Sequence, residues 1–133
     1  MSGSLVRLDR HPLADHDWRQ RCREQLNQSG ALVLRQFLQP AALQAIIDEG
    51  HAQRHLAYHT LSKHNVYLMK PDEAFPPEHP RNRDVISTKG CITDDAIAAE
   101  SPLRQLYNDA LFKSFLCEVL GEEALYPYAD PLS

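Results

Sequence analysis

Four prolines fall within ten positions of this chain, at Pro71, Pro76, Pro77 and Pro80, inside the stretch KPDEAFPPEHPRNRD. Proline fixes φ and removes a backbone donor, so neither a helix nor a central strand runs through these residues. A connection this long inside a compact domain is functional or disordered, which makes it the first place to look for a site. It also divides the reading, with helical patterns before and after it and room for little else.

Before the divide, Trp18, Cys22 and Leu26 recur every four residues. This spacing predicts an amphipathic helix with Asp15 or Asp17 as N-cap and Gly30 as its stop. Ala31-Leu32-Val33-Leu34 reads as a short buried strand. Pro40 suits the first turn of a second helix, with Leu43, Ile46 and Ile47 facing inward and an end between Gly50 and Tyr58. Asn65 to Met69 is the next expected strand, and Val85-Ile86-Ser87 another. After the divide, Ser101-Pro102 caps a short helix through Tyr107, and Asn108 or Asp109 starts the last one. There Leu111, Phe112, Phe115, Leu116, Val119 and Leu120 form an apolar stripe closed by Gly121. The alternation of Leu125, Tyr126, Pro127 and Tyr128 reads as a strand entering a sheet.

With 133 residues the chain is long enough for one domain with a sizeable core. A net charge of -4 argues against a general nucleic-acid binder. No apolar run approaches the roughly 20 residues that span a bilayer, and the N-terminus has no apolar signal-peptide core. Three widely spaced cysteines, Cys22, Cys91 and Cys117, suit reduced thiols in the cytoplasm better than disulfides.

Three groups of residues could carry chemistry. His51, His55 and His59, with His64 nearby, have the four-residue spacing at which histidines on one helix face chelate a metal; the bland reading is a polar face. His79-Pro80-Arg81-Asn82-Arg83, followed by Lys89, could hold a carboxylate or phosphate bidentately; the bland reading pairs these arginines with Glu78, Asp84 or Asp94. Tyr126 and Tyr128 could line a pocket or sit in the core. Cys91 reads as a buried inert thiol. No complete catalytic constellation is present, so the catalytic and metal sets are both empty.

Five segments, taken in order, carry a resemblance. They are GALVLRQFLQP (Gly30 to Pro40), HNVYL (His64 to Leu68), HPR (His79 to Arg81), STKGC (Ser87 to Cys91) and LYPYADPLS (Leu125 to Ser133). Together they resemble the N-terminal portion of Fe(II)/2-oxoglutarate-dependent oxygenases, in particular the subgroup of free-amino-acid radical halogenases and hydroxylases. The resemblance implies an α+β chain: a helical N-terminal region with a few strands of an incomplete double-stranded β-helix, or jelly-roll. Residues 1–133 would be one domain lacking most of the jelly-roll core, since about eight strands close such a fold and only three or four are expected here.

The resemblance further implies Fe(II) and 2-oxoglutarate as cofactors of the full-length enzyme, with none expected for this chain alone. A small amino-acid-like molecule would be the substrate, contacted by Arg81, Arg83, His64, Tyr126 and Tyr128. The family's first two iron ligands form an H-x-D motif, with Gly or Ala replacing the carboxylate in halogenases. The residues two places after each histidine are Leu13, Trp18, Gln53, Ala57, Leu61, Val66 and Arg81. None is Asp, Glu or Gly, and His55-Leu56-Ala57 lies too far upstream to count. Neither nucleic acid nor membrane is an expected partner, and self-association through exposed apolar surface is expected of the chain by itself. A non-catalytic partner-binding module and a small histidine-rich metal binder are the alternatives.

Overall fold

The computed structural model describes residues 4–128. Helix α1 spans His16–Ser29 and α2 spans Pro40–Gln53, followed by a 3-10 turn at Arg54–Leu56. Strands β1 (Tyr58–His64) and β2 (Val85–Cys91) form an antiparallel pair, and α3 (Pro102–Tyr107) and α4 (Ala110–Leu120) complete the described chain. The fold is therefore mixed helix and strand with a two-stranded sheet.

The helix ends lie where the local chemistry puts them. The Asp15 carboxylate accepts from the Trp18 amide, and Gly30 closes α1 at φ 71°. Asp109 caps α4 by accepting from the Phe112 amide, and Gly121 ends it at φ 75°. Both glycines occupy the left-handed region, where a side chain would be strained.

The core lies between α1, α4 and the N-terminal segment. Val6, Leu13, Cys22, Phe115 and Val119 are buried together, with Trp18, Leu26, Phe37 and Phe112 packed against them. The Trp18 and Phe115 rings stand 5.3 Å apart, as do those of Phe37 and Phe112. His11 is buried beside Trp18 and Phe37. Its Nε2 lies 2.9 Å from the Arg35 carbonyl, which can only accept, so that nitrogen carries the proton. Burial pushes the Cys22 thiol up, against the pull of Arg21, and it behaves as a small apolar side chain.

A polar latch joins the same two helices. The Glu118 carboxylate accepts from Arg19 Nη1 at 2.8 Å and Gln20 Nε2 at 2.9 Å, with His16 Nδ1 at 2.9 Å. These donors and charges, the Arg19 bond foremost, hold Glu118 below the usual carboxylate range.

Several expected elements are absent or shifted. Residues 31–34 form no strand: Leu32 and Leu34 pack on the core and Val33 points outward, but no neighbouring strand meets their backbone. Pairing occurs further on, where Val6 bridges Leu38 and the Arg7 amide donates to the Phe37 carbonyl. Leu43 and Ile47 of α2 are exposed rather than inward-facing, because Ala42 is that helix's buried residue. Residues 65–69 are a turn, not a strand, and β1 precedes them. Leu125 to Tyr128 form no strand either, and Tyr126 and Tyr128 are exposed. Among the described residues two strands stand where three or four were expected.

Phe115→Ala is expected to lower unfolding free energy by about 3–5 kcal/mol, measured by denaturant titration. The Glu118 latch has a pH signature. Its folded-state pKa is depressed, so its stabilisation is present above the unfolded carboxyl pKa and lost as pH falls through the folded one. The midpoint difference between the protein and Glu118→Gln should therefore shrink on acidification, read from melts across acidic pH.

Candidate functional site

Between β1 and β2 the chain makes the excursion from Asn65 to Asp84, and two buried asparagines give it its shape. Asn65 Oδ1 accepts from the Tyr67 amide at 3.0 Å and the Met69 amide at 3.3 Å, while Nδ2 donates to the Met69 carbonyl. An asparagine side chain that captures nearby amides competes with a strand ladder, which is why β1 stops at His64. The turn it enforces holds Leu68 at φ 53°, left-handed for a residue that rarely goes there.

Asn82 does the same work from the other end. Its Oδ1 accepts from the Asp72 amide at 2.7 Å, and its Nδ2 donates to the carbonyls of Asp72 at 2.8 Å and Phe75 at 2.9 Å. The prolines pre-set φ, and backbone bonds from His79 to Pro76 and from Arg83 to His79 close further turns. The Phe75 ring stacks on His79 at 4.5 Å. This proline-rich stretch is built by polar contacts rather than by a core.

Arg81 lies at the centre of that stretch. Its guanidinium stands 4.3 Å over the Tyr67 ring, a cation–π distance. Asp72 Oδ2 is 3.6 Å from Nε, near enough to balance charge but beyond hydrogen-bond length. Nη1 is buried and has no hydrogen-bond partner. A buried unsatisfied donor in a folded protein calls for an explanation, and a ligand that accepts from it is one. Around the site Val66, Tyr67, Leu68 and Met69 are all exposed, a run of four apolar side chains facing solvent.

The other candidates are dispersed. Arg83 is exposed. Asp84 pairs with Lys63 at 3.2 Å and Asp94 with Arg104 at 2.8 Å, so among the described residues the alternative in which the loop arginines pair with Glu78, Asp84 or Asp94 gives way to a single contact, Arg81 with Asp72. His64 is half-buried at the end of β1, its Nδ1 against the Asn65 carbonyl. Tyr126 and Tyr128 line no described pocket, although the Tyr128 amide donates to the Tyr107 hydroxyl at 2.9 Å. No hydrogen bond, ion pair or ring contact among the described residues joins any of these four to Arg81.

The histidine spacing does not survive folding. His51 lies in α2, His55 in the 3-10 turn with Nδ1 on the Ala52 carbonyl, and His59 on β1. Among the described residues no three His, Cys, Asp or Glu side chains converge as a metal set. No described helix is long and apolar enough to cross a membrane. Cys91 is half-buried, not buried.

No family model, curated protein or solved structure matches the chain. The site is therefore read from its geometry. The sequence pointed to Arg81 but not to Tyr67 and Asp72, which meet its guanidinium, nor to Asn65 and Asn82, which shape the loop around it. The available signal was an asparagine at each end of the proline-rich excursion, a residue type that turns favour.

Asn65→Ala is expected to raise amide hydrogen exchange at Tyr67 and Met69 by roughly tenfold or more, from the loss of about 1–3 kcal/mol of local hydrogen bonding, while α1 and α4 keep their protection.

Proposed function

We propose that this chain is the substrate-contacting N-terminal portion of an Fe(II)/2-oxoglutarate-dependent oxygenase, a hydroxylase or halogenase, acting on a small amino-acid-like molecule. The observation that carries the substrate half of this reading is Arg81: a guanidinium backed by an aromatic ring, charge-balanced at a distance, with one buried nitrogen unpaired. A carboxylate accepts from two guanidinium nitrogens at once, and an amino acid supplies that group. The oxygenase half rests on the ordered sequence resemblance. A two-stranded sheet is itself marginal in water, which fits a sheet extended by further strands of the same polypeptide.

The described residues do not fit an iron site, since no ligand set converges among them. Iron and 2-oxoglutarate would activate dioxygen in the complete enzyme. This portion's work is to bind and orient. Arg81 fixes the substrate carboxylate, and the exposed Val66 to Met69 run shields the bound molecule from water.

A second reading, a non-catalytic binding module, is favoured by that same exposed apolar run. One assay separates the two. The polypeptide from the complete reading frame, given iron(II), 2-oxoglutarate, dioxygen and free amino acids, should release succinate in an amino-acid-dependent way. Arg81→Met should then raise the amino-acid KM roughly 10- to 100-fold, the worth of a charge-assisted hydrogen bond. Absence of succinate under every amino acid would overturn the oxygenase reading and favour the binding module.

A further inference from the structure

The contacts around Arg81 point to two residues that never touch its guanidinium. We propose that Asn65 and Asn82 are positioning residues for a carboxylate site at Arg81, each setting one of the two groups between which the guanidinium is held. The inference rests on the reading of Arg81 as the carboxylate-binding side chain.

The two routes are separate. Asn82 reaches Arg81 through Asp72. Three of its side-chain bonds fall on Asp72 and Phe75, gripping the Asp72 amide and carbonyl at 2.7 and 2.8 Å, and so fix the backbone that aims Oδ2 at Arg81 Nε. Asn65 reaches Arg81 through Tyr67. Its Oδ1 holds the Tyr67 and Met69 amides in a turn that passes through the left-handed Leu68, and that turn sets the ring under the guanidinium. The Arg81 amide itself donates to His79 Nδ1 at 3.2 Å, which ties the arginine backbone to the same loop.

Both asparagines are almost wholly buried, at 2% and 6% exposure, although neither belongs to the hydrophobic core. A buried amide with its bonds satisfied rigidifies what it touches, at a cost if either partner is lost. Ordering a coreless loop explains the bonds themselves, but not why both amides act on residues that meet Arg81. Preorganisation of a binding group does: an arginine held in its bound geometry loses less rotamer freedom when the ligand arrives. Nη1 has no partner within the protein, and a carboxylate meeting the guanidinium is the acceptor the proposal assigns to this group.

The test uses the 133-residue chain and follows the Arg81 Nε–H resonance by nitrogen-15 NMR during titration with acetate as the bare carboxylate probe. Parallel titrations with L-alanine and with 2-oxoglutarate tell which source of carboxylate the site prefers. Acetate should shift the Arg81 resonance in the wild-type chain, and Arg81→Met, followed through the Tyr67 and Asp72 backbone amides because its own guanidinium signal is gone, should show no saturable binding. Asn82→Ala and Asn65→Ala should each weaken acetate roughly tenfold while the thermal midpoint stays near wild type, because the core lies in α1 and α4. They should also collapse the distinct Arg81 Nε–H shift, a signature that simple loss of stability does not produce.

The failures are distinguishable. If acetate fails to bind the wild type, or binds Arg81→Met as it binds the wild type, the Arg81 reading falls and this inference with it. If Arg81→Met abolishes binding but both alanine variants bind acetate normally, the positioning role is overturned and the Arg81 reading stands. If either alanine variant loses cooperative unfolding, the asparagines hold the whole fold rather than this loop, and the proposal is likewise overturned.

Discussion

The packing of Trp18 on Phe115, latched by Glu118, is the contact on which the rest of this structure depends. It joins α1 to α4, and the Arg19–Glu118 bond within it closes a separation of 99 residues. Closing so long a loop costs chain entropy that only apolar burial can offset. The rings and the buried Leu13, Cys22 and Val119 provide that burial, and the latch adds direction by favouring one alignment of the two helices. Everything between α1 and α4 is thereby held as a large insertion between two anchored ends.

That anchoring explains why the hairpin can look as it does. β1 and β2 contribute no residue to the buried core, and nearly all of their side chains are exposed. A lone two-stranded sheet rarely stands in water by itself. Here its excursion is ordered by amide side chains, Asn65 and Asn82, that replace a hydrophobic core with satisfied buried hydrogen bonds. Such bonds are directional, so they fix a geometry more tightly than apolar packing of the same extent. Within that loop the Arg81 guanidinium stands 4.3 Å over the Tyr67 ring, with Nη1 unpaired. The apolar burial resides in the helices, and the directional side-chain bonds reside in the loop.

The helices were legible in the sequence because their signals are local. Asp15, Ser101 and Asp109 cap α1, α3 and α4 and Gly30 and Gly121 close α1 and α4 through bonds within one turn, while Pro40 and Pro102 open α2 and α3 by their fixed φ. The strands were legible only in part. Val85 was placed correctly as a strand start, but β2 runs on to Cys91 because Tyr58 to His64 lie opposite, a partner no local pattern announces. Residues 31–34 have strand composition and alternating burial yet meet no neighbouring backbone. Asn65 to Met69 have strand composition too, but one side-chain oxygen captures two of their amides. The histidines at 51, 55 and 59 share a helical spacing that ends when α2 gives way at Gln53.

By itself, then, the sequence determined what depends on near neighbours: helix bounds, caps, the apolar stripe of α4, the exclusion of regular structure by four prolines, and the presence of an arginine pair in that stretch. The tertiary structure decided what depends on distant partners. It selected Arg81 over Arg83, set it against Tyr67 and Asp72, dispersed His64, Tyr126 and Tyr128 from it, and left Leu43 and Ile47 of α2 exposed. The physical reason is one of range. Capping, φ restriction and helical periodicity act within a few residues, whereas strand pairing, burial and the environment of a guanidinium are properties of whatever the fold brings alongside.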